Sequence, residues 1–442
     1  MAHGHHDIPD MLPKEPIDTV VNPLKRFLHI EAASGVVLLV MTVAALILAN
    51  SPLSDAFLGI WKTRFTIGIG GFQMNHSLQH WINDGLMAVF FFVIGLEVKR
   101  ELVMGELKDL RQAVLPIAAA VGGMVVPAGI YLTLQWGTPG ERGWGIPMAT
   151  DIAFVVGCLA VLGRRIPNSL RVMLLSLAIA DDIGAILVIA IGYTESLNLA
   201  ALGLGGAGIG LFLFLMRTGV RNQGIYILIM VLVWLAFHES GIHATIAGVI
   251  FGLIVPARAW ISESLLGEIT QKASSFFQGD GWESGAQRYA MLRQMERATR
   301  KSISPLERLE SSLHPWVGFA IMPVFALANA GVVVDPADIF NPVATAVMMG
   351  LFVGKPVGIA LCSWIVVKLG LAKLPSDVGW GAIVGGGFLA GIGFTMALFI
   401  SGLALGSDTL DAAKVGVMTG SLLSAVAGVS ILVICLKPSA DG

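Results

Sequence analysis

Two adjacent carboxylates, Asp181 and Asp182, lie inside the otherwise apolar stretch LAIADDIGAILVIA, residues 177–190. Ionised carboxylates are costly in hydrocarbon, and neighbouring like charges also repel each other. Burial favours the protonated form of a carboxyl group, and a second carboxylate nearby favours it further. Such a pair can bind protons or a hard cation with oxygen ligands, but it has little room for both. The motif therefore predicts a site at which H⁺ and a small cation compete.

A few other ionisable residues also fall within apolar segments: Asp84, Glu97, Asp151, Lys355 and, near the end of one segment, His243. Charges inside a membrane normally face a bundle interior or an aqueous cavity, and they mark ion or proton paths. An Asp–Lys pair could instead do no more than fix the packing of two helices. Adjacent aspartates cannot do this, because like charges do not hold helices together.

Two other segments contain residues that interrupt helices, namely GWGIPMATDIAF (143–154) and GWGAIVGGGFLAGIGFTMALFISG (379–402). Interrupted spans at matching positions in two halves of a chain indicate a transporter's binding site, although glycines also permit close helix packing. A broken helix has a positive N-terminal end and a negative C-terminal end. Asp151, which follows Thr150, could neutralise the former and Lys355 the latter.

Long apolar segments carry these residues. The chain of 442 residues is 55% hydrophobic and 13% charged, with a mean hydropathy of +0.78, whereas soluble proteins carry about 25% charged residues. Blocks near ~20 residues match a ~30 Å hydrocarbon core. We therefore predict an all-α polytopic membrane protein, and neither the net charge of −2 nor any basic tract indicates a nucleic-acid partner. The twelve predicted spans are 29–50, 80–98, 113–136, 144–162, 170–192, 198–216, 222–238, 241–257, 313–333, 342–369, 378–405 and 411–436.

The distribution of Lys and Arg predicts the orientation of the spans, because cytoplasmic loops carry an excess of both. With the N-terminus inside, 23 of the 28 Lys and Arg residues lie in inner segments. Lys355 lies within a span, and the residues left outside are Lys62, Arg64, Arg142 and Lys414. Both termini are therefore predicted to be cytoplasmic.

Two polar excursions interrupt the spans. The external loop 51–79 contains RFTIGIGGFQMNHS (64–77), a β-hairpin pattern around Gly70-Gly71. An isolated hairpin is marginal in water, so pairing with a second subunit in a homodimer would account for it. The cytoplasmic insertion 261–303 ends in a basic amphipathic segment. That segment could lie on the anionic inner leaflet of the lipid bilayer or be an ordinary solvated helix.

The ends of the chain are predicted to be cytoplasmic tails around a transporter domain of residues 28–436. Residues 1–27 are polar and lack an apolar signal-peptide core, so they are predicted to be disordered. Three histidines in this tail could bind a metal weakly, although disorder alone accounts for the segment; they are His3, His5 and His6. Residues 437–442 form the second tail.

The motifs together resemble the NhaA family of bacterial Na⁺/H⁺ antiporters over residues 28–436. They are NDGLMAVFFFVIGLEVKRE, ATDIAFVVG, LAIADDIGAI, SGIHATIAGVI, LHPWVGFAIMPVFALANAGV, GKPVGI and GIGFTMALFI. The resemblance implies the NhaA fold: twelve transmembrane helices with inverted repeats, spans three to five and ten to twelve, in which helices four and eleven are broken and cross. It also implies a multi-pass protein of the bacterial inner membrane that is no enzyme and needs no cofactor. The expected activity is electrogenic exchange of cytoplasmic Na⁺ or Li⁺ for more than one proton, activated at alkaline pH.

The resemblance also implies roles for individual residues. Asp181 and Asp182 would bind Na⁺ and protons, with Lys355 as their partner, while Thr150 and Asp151 belong to the crossing. The residues that match the pH-response region at the cytoplasmic funnel are Glu97, Glu310, His314 and His243, with Asp84 as a further candidate. Two departures from relatives, Ser311 and the 261–303 insertion, bear on the pH set-point and leave the transport core unaffected.

Rival functions can be distinguished. An intramembrane aspartyl protease needs one aspartate from each of two helices, whereas Asp181 and Asp182 are adjacent on one helix and point about 100° apart. A sodium-coupled symporter or a channel of related fold is the main alternative, and dependence of flux on an opposing proton gradient would separate it from an antiporter. The pH dependence has two explanations: a separate sensor at the funnel, or competition at the Asp pair with ordinary charges at the rim.

Overall fold

The fold is known from a computed structural model that describes residues 31–69, 72–194, 197–220, 222–278, 285–333 and 336–436. The predicted tails 1–27 and 437–442 lie outside the described residues. Within the described ranges, nine helices are long and apolar enough to cross a membrane, two bent pairs pass when joined, and one apolar helix is shorter. These twelve elements match the predicted spans one to one, so the predicted helical membrane architecture is confirmed.

The bounds of the spans, one to twelve, are Glu31–Ala49, Leu78–Val103, Leu110–Gln135, Glu141–Leu162, Asn168–Gly192, Leu199–Arg217, Gln223–Ser240, Thr245–Ile254, Pro305–Asn329, Pro342–Lys368, Trp380–Ala404 with a break, and Ser407–Cys435. Short 3₁₀ helices connect some of them, at Glu106–Lys108, Gly163–Arg165 and Pro336–Phe340. Large apolar side chains such as Leu204, Phe214 and Leu228 are exposed on spans six and seven. Water-soluble proteins rarely expose such continuous apolar surface, so these faces contact lipid in a multi-pass membrane protein.

The predicted β-hairpin is confirmed. Strand β1, Arg64–Ile69, pairs antiparallel with β2, Phe72–Ser77, and Ile69 lies opposite Phe72. The predicted Gly70-Gly71 turn lies outside the described residues. A helix that the sequence did not predict, Ser54–Lys62, precedes the hairpin and is bent 114° from span one. We call the end of the bundle that carries these strands the hairpin face.

The predicted insertion folds as two helices, Glu263–Gln278 and Gly285–Ser302. They lie at the opposite face, because Arg100 near the far end of span two pairs with Glu310, a few residues after the second helix. The apolar side chains Tyr289 and Leu292 of the second helix are exposed. This exposure is compatible both with a helix on the membrane surface and with a solvated one.

Span nine begins eight residues earlier than the predicted start at 313. The hydroxyl of Ser304 accepts a hydrogen bond from the Glu307 amide, and the Glu307 side chain accepts from the Ser304 amide. This capping box, with Pro305 at the first helical position, stabilises a helix start. Glu310 and Ser311 therefore lie on the span itself and not in a preceding loop.

Two other predicted positions also differ from the structure. Span eight is shorter than the predicted 241–257, because Gly241 adopts a left-handed conformation at the end of span seven and a short loop follows. Lys414, which was counted among the external charges although it falls within the predicted span 411–436, is on span twelve and buried. Its charge is thus part of the bundle and gives no information on orientation.

Some pairs of spans approach each other so closely that only glycine fits at the contact. Spans three and ten meet at Gly122 and Gly358, where a Cβ on either residue would overlap the backbone oxygen of the other. Spans two and eight meet at Gly95 and Gly252, where a Cβ would overlap backbone atoms of the facing helix in the same way. Small residues allow this kind of backbone contact between membrane helices.

The two predicted interruptions are confirmed. Span four consists of the 3₁₀ helix Glu141–Met148, an extended segment through Asp151 and the α-helix Ile152–Leu162. Span eleven consists of Trp380–Ala390 and Phe394–Ala404, bent by 47°. Spans three to five and ten to twelve therefore share the order long, broken, long, as expected for repeats.

Three of the described spans contain a π-helical segment, namely Ile82–Leu86, Val317–Ile321 and Gly350–Gly354. Such segments in α-helices are frequent at functional sites. Asp84 lies in the first, and Lys355 directly follows the third. The local change in helical winding thus coincides with two of the ionisable residues that the sequence singled out.

Candidate ion-binding site

The breaks in spans four and eleven lie against each other. The amide of Asp151 donates a hydrogen bond of 2.7 Å to the carbonyl of Ile392. One carboxylate oxygen of Asp151 accepts from the Phe154 amide at 3.3 Å, and the other accepts from the amide of Thr395 at 3.1 Å and from its hydroxyl. A single buried carboxylate therefore caps the N-termini of both second half-helices, where a negative charge is favourable.

The C-terminal ends of the first half-helices also receive donors. The buried Lys355 ammonium donates to the carbonyl of Met148 at the end of the 3₁₀ segment. The Thr150 hydroxyl lies 3.0 Å from the carbonyl of Ala390. Because these ends carry partial negative charge, the ammonium of Lys355 complements them as the Asp151 carboxylate complements the N-termini.

Asp181 is bound to this crossing through one of its two oxygens. Its Oδ2 accepts hydrogen bonds of 2.6 Å from the Thr150 hydroxyl and from the Lys355 ammonium. Its Oδ1 is buried and has no hydrogen-bond partner among the described residues. One side of this carboxylate is therefore satisfied within the protein, while the other is available to a proton or a cation.

Asp182 is buried on the same helix without a hydrogen bond or an ion pair to any described residue. The charges of Asp181, Glu97, Lys355 and Asp151 act on it. Because consecutive helical residues point about 100° apart, the two carboxylates do not share the same partners. A buried carboxylate without a partner is costly, so this oxygen-rich position suits a bound proton or a hard cation.

A second cluster joins the opposite-face ends of spans two and nine. Glu97 Oε1 lies 3.5 Å from His314 Nδ1, and Arg100 forms an ion pair with the buried Glu310 carboxylate. Ser311 is exposed and its hydroxyl donates to the carbonyl of Arg308. Three of the candidate pH-response residues therefore lie together, and Glu97 also interacts electrostatically with Asp182.

Two other candidates, His243 and Asp84, do not belong to that cluster. Asp84 lies thirteen residues before Glu97 on span two, which is about 20 Å along a helix. His243 Nε2 is 4.0 Å from Asp84 Oδ1, in the loop after span seven, at the hairpin face. The expectation that His243 lies beside Glu97 and Glu310 is thus corrected, because span seven brings the chain back to the hairpin face just before it.

Sequence reasoning missed two features of this part of the molecule. Thr395 is present in the motif GIGFTMALFI, but its contact with Asp151 depends on the crossing of two distant segments. His76, His80 and His238 gather around Asp84. The spacing His76-x₃-His80 is the one signal in the sequence that could have indicated this second group.

The chain matches the family model described as Na⁺/H⁺ antiporter 1 over residues 25–432. It is 58% identical over 429 residues to the Na⁺/H⁺ antiporter NhaA of Rhodopirellula baltica, covering 97% of this chain and 98% of the relative. It is 51% identical over 431 residues to NhaA 2 of Acidiphilium cryptum, covering 98% and 96%. With NhaA of Rhizobium meliloti it shares 49% identity over 428 residues, covering 97% and 98%.

These matches extend over the whole transporter domain and include both broken spans and the helix with the adjacent aspartates. The relatives are transporters and not enzymes, which agrees with a buried site built from carboxylates, a hydroxyl and an ammonium. The chain belongs to the NhaA family of Na⁺/H⁺ antiporters.

Proposed function

We propose that this protein exports cytoplasmic Na⁺ or Li⁺ in electrogenic exchange for more than one proton, with Asp181 and Asp182 as the shared binding site. The observation that carries the proposal is the unsatisfied state of this pair. Asp181 Oδ1 is buried without a partner, and Asp182 forms no ion pair or hydrogen bond with a described residue. The site offers oxygen ligands, which hard cations prefer.

Competition at this site would couple the two ions. A cation bound by both carboxylates favours their ionised form and so disfavours protonation, whereas protonated carboxyls lack the negative charge that attracts a cation. Lys355 supplies a third competitor, because its ammonium lies 2.6 Å from Asp181 Oδ2 and must lose that contact if a cation uses the same oxygen. The charge of the site would then be neutralised in each state by a proton, a cation or Lys355. Alternating access would expose the site to each side of the membrane in turn.

Flux into proteoliposomes tests this proposal. A pH difference imposed across the membrane should drive Na⁺ uptake against its gradient. A protonophore that removes this pH difference, with the membrane potential held constant, should stop the uptake. A symporter would move Na⁺ and H⁺ in the same direction, and a channel would move Na⁺ without a proton gradient. Either result would replace the antiport mechanism by one of those alternatives.

Electrogenic exchange makes a separate demand. If more than one proton enters for each Na⁺ that leaves, each cycle moves net charge. A membrane potential of one sign should then speed exchange and one of the opposite sign should slow it, even with no pH difference present. Potassium gradients with valinomycin set that potential. Exchange that is independent of the potential would mean one proton for each cation and would contradict the proposed stoichiometry.

We further propose that the acidic cluster at the opposite face sets the pH range of activity. Its support is the contact of Glu97 with His314 and the pairing of Glu310 with Arg100. Glu97 also interacts electrostatically with Asp182 on span five. Competition between protons and Na⁺ at the Asp pair remains the simpler explanation. Substitutions in the cluster distinguish these two explanations of the pH dependence.

We also propose a homodimer in the bacterial inner membrane, joined through residues 64–77 and with both termini cytoplasmic. A two-stranded sheet leaves its outer edges unpaired, and such edges pair readily with another strand. Phe65 and Ile67 of β1 are exposed. Ile67→Lys should therefore give monomers in light scattering of the detergent-solubilised protein, whereas Leu371→Lys, at an equally exposed apolar residue outside the hairpin, should remain dimeric. Monomeric parent protein would contradict the dimer.

A further inference from the structure

Three histidines come together at the hairpin face, away from the crossing. His76 lies on β2, His80 in the first turn of span two and His238 in the last turn of span seven. One ring nitrogen of each lies within 4.8 Å of the others. The rings of His76 and His80 are stacked with centroids 4.2 Å apart, and His238 lies edge-on to His76 at 5.2 Å. Three separate elements thus converge on one small volume.

The buried carboxylate of Asp84 lies beneath these rings. Its Oδ2 is 3.4 Å from His80 Nε2 and 3.5 Å from His238 Nδ1. Metal-binding histidines commonly present their second ring nitrogen to a carboxylate, which orients the ring and increases its basicity. Each imidazole has two nitrogens, so the ring can contact Asp84 with one and bind a metal with the other.

The polar groups of this cluster are not satisfied by the protein alone. His80 Nε2 is buried and makes no hydrogen bond, and the three rings form none with any described group other than Asp84. Imidazole nitrogens in this arrangement are common ligands of metal ions.

The surroundings would also hold a cation in a fixed geometry. Trp81 and Trp234 stack at 6.4 Å and cover one side of the cluster, and Trp234 also stacks on His238 at 6.0 Å. The indole of Trp81 donates to the carbonyl of Phe65 on the hairpin, and that of Trp234 donates to the carbonyl of Asp84. The carboxylates of Asp84 and Glu239 both act electrostatically on the histidines.

From this geometry we infer that His76, His80 and His238 bind a divalent transition-metal ion such as Zn²⁺, with Asp84 as the orienting carboxylate. Zinc takes imidazole nitrogens at about 2.0–2.1 Å, so the ligand atoms of a tetrahedral site are about 3.4 Å apart. The three rings are partly exposed and their ligand nitrogens already lie within 4.8 Å of one another, so rotation of the rings would be needed to reach that spacing. A fourth position would then be open to water.

This site is distinct from the Asp181–Asp182 pair and does not depend on the proposed exchange. Nitrogen ligands suit Zn²⁺, Cu²⁺ and Ni²⁺, whereas Na⁺ and Li⁺ require oxygen. A metal bound here would connect the hairpin to spans two and seven. Bound metal should therefore raise the melting temperature of the protein and protect β1 and β2 from proteolysis.

The experiment uses the full-length chain, purified without an affinity tag and treated with chelator, with His3, His5 and His6 replaced by alanine to remove weak binding in the tail. Zn²⁺ content after equilibrium dialysis should reach one ion per chain, and Co²⁺ should give the intense visible spectrum of a tetrahedral site. His238→Gln and His76→Gln should each weaken Zn²⁺ binding at least about tenfold, since loss of even an outer partner costs 10–100-fold.

Two comparisons make the result decisive. His314→Gln removes another histidine that contacts a carboxylate, Glu97, but no three-histidine group forms there among the described residues, so this variant should bind Zn²⁺ like the parent. Melting temperatures without metal identify any variant that fails to fold, and the second substitution then replaces it. Equal Zn²⁺ uptake by the parent and both cluster variants, or a Co²⁺ spectrum of octahedral type, would overturn the inference.

Discussion

Asp182 differs from Asp181 in what surrounds its carboxylate. Asp181 is held by Thr150 and Lys355, whereas Asp182 has no such partner among the described residues. A carboxylate in this position can be neutralised by a proton or can have its charge balanced by a bound cation, whereas a neutral amide can do neither.

We therefore expect Asp182→Asn to abolish exchange while the protein stays folded. Asp181→Asn should have the same or nearly the same effect, because its Oδ1 belongs to the same site. The measurement is Na⁺-driven proton movement in proteoliposomes, with the melting temperature as a check on folding. Asp55→Asn, an exposed acid on the helix Ser54–Lys62, should leave exchange intact. Robust exchange in folded Asp182→Asn would remove the pair from the mechanism.

Lys355 is the buried cation of the crossing, in contact with Asp181 and with the carbonyl of Met148. Lys355→Ala should lower the stability of the protein, since removal of one partner of a buried ion pair costs about 3–5 kcal/mol. Lys355→Arg should stay folded, with altered apparent Na⁺ affinity or pH dependence, because the planar guanidinium fits an ammonium site poorly.

Thermal unfolding in detergent measures the first effect and Na⁺ titration of exchange the second. Lys368→Ala, an exposed lysine at the end of the same helix, serves as the matched control and should have little effect on either. An alanine variant at position 355 as stable as the parent would mean that its ion pair with Asp181 contributes nothing to the fold.

At the scale of elements, Asp151 connects the two broken spans. Its carboxylate accepts from the Phe154 amide at the start of one half-helix and from the Thr395 amide at the start of the other. One loss of a cap typically costs about 1 kcal/mol. Asp151→Ala removes two caps, so it should lower stability by about 2 kcal/mol or more, while Asp151→Asn should be intermediate because its single carbonyl oxygen can serve only one amide well.

A cap elsewhere in the bundle provides the comparison. Asn198 caps span six alone, through the amides of Ala200 and Ala201. Asn198→Ala should therefore destabilise the protein about half as much as Asp151→Ala, measured by thermal unfolding under the same conditions. Equal losses for the two substitutions would mean that Asp151 stabilises only one of the broken spans.

The sequence predicted the elements well where the signal is local. The Asp pair, the two interrupted spans and the hairpin follow from neighbouring residues, because apolar length, glycine content and strand alternation are properties of short segments. Span nine begins before its apolar stretch because Ser304 and Glu307 form a capping box, which hydropathy alone does not indicate.

What the sequence could not predict is the pairing of distant groups. The contact of Lys355 with Met148 joins positions 207 residues apart, and Thr150 meets Ala390 across 240 residues. The misplacement of His243 has the same origin, since a motif identifies a residue but not the end of the bundle at which it lies. The histidine cluster was missed because His238 is far from His76 and His80 along the chain.

At the scale of the whole molecule, we propose that the remote cluster around Glu310 acts on the Asp pair and so sets the pH range of activity. If it does, Glu310→Gln should shift the pH midpoint of exchange by a few tenths of a unit to about one unit, as expected when an ion pair worth about 1 kcal/mol is removed. Maximal exchange at alkaline pH should not change, because Glu310 does not contact Asp181 or Asp182.

Exchange measured across the pH range for Glu310→Gln and Glu97→Gln tests this expectation. Glu307→Gln is the control on the same helix, because glutamine also completes a capping box and Glu307 lies outside the cluster. Unchanged midpoints in both test variants would leave competition between protons and Na⁺ at the Asp pair as the sufficient cause of the pH dependence.

The glycine contacts described above also determine which parts of the bundle can shift. Spans three and ten touch backbone to backbone at Gly122 and Gly358, and spans two and eight do so at Gly95 and Gly252. Because no side chains lie between the helices at these contacts, we expect each pair to move as one unit if the bundle rearranges. A rearrangement would then take place at boundaries lined by side chains, such as the one between spans two and five, which carries Glu97 on one side and Asp182 on the other. A larger residue at any of these glycines would separate the two helices of a pair. We therefore expect it to uncouple the movements of the two helices, although no candidate ion-binding residue is changed.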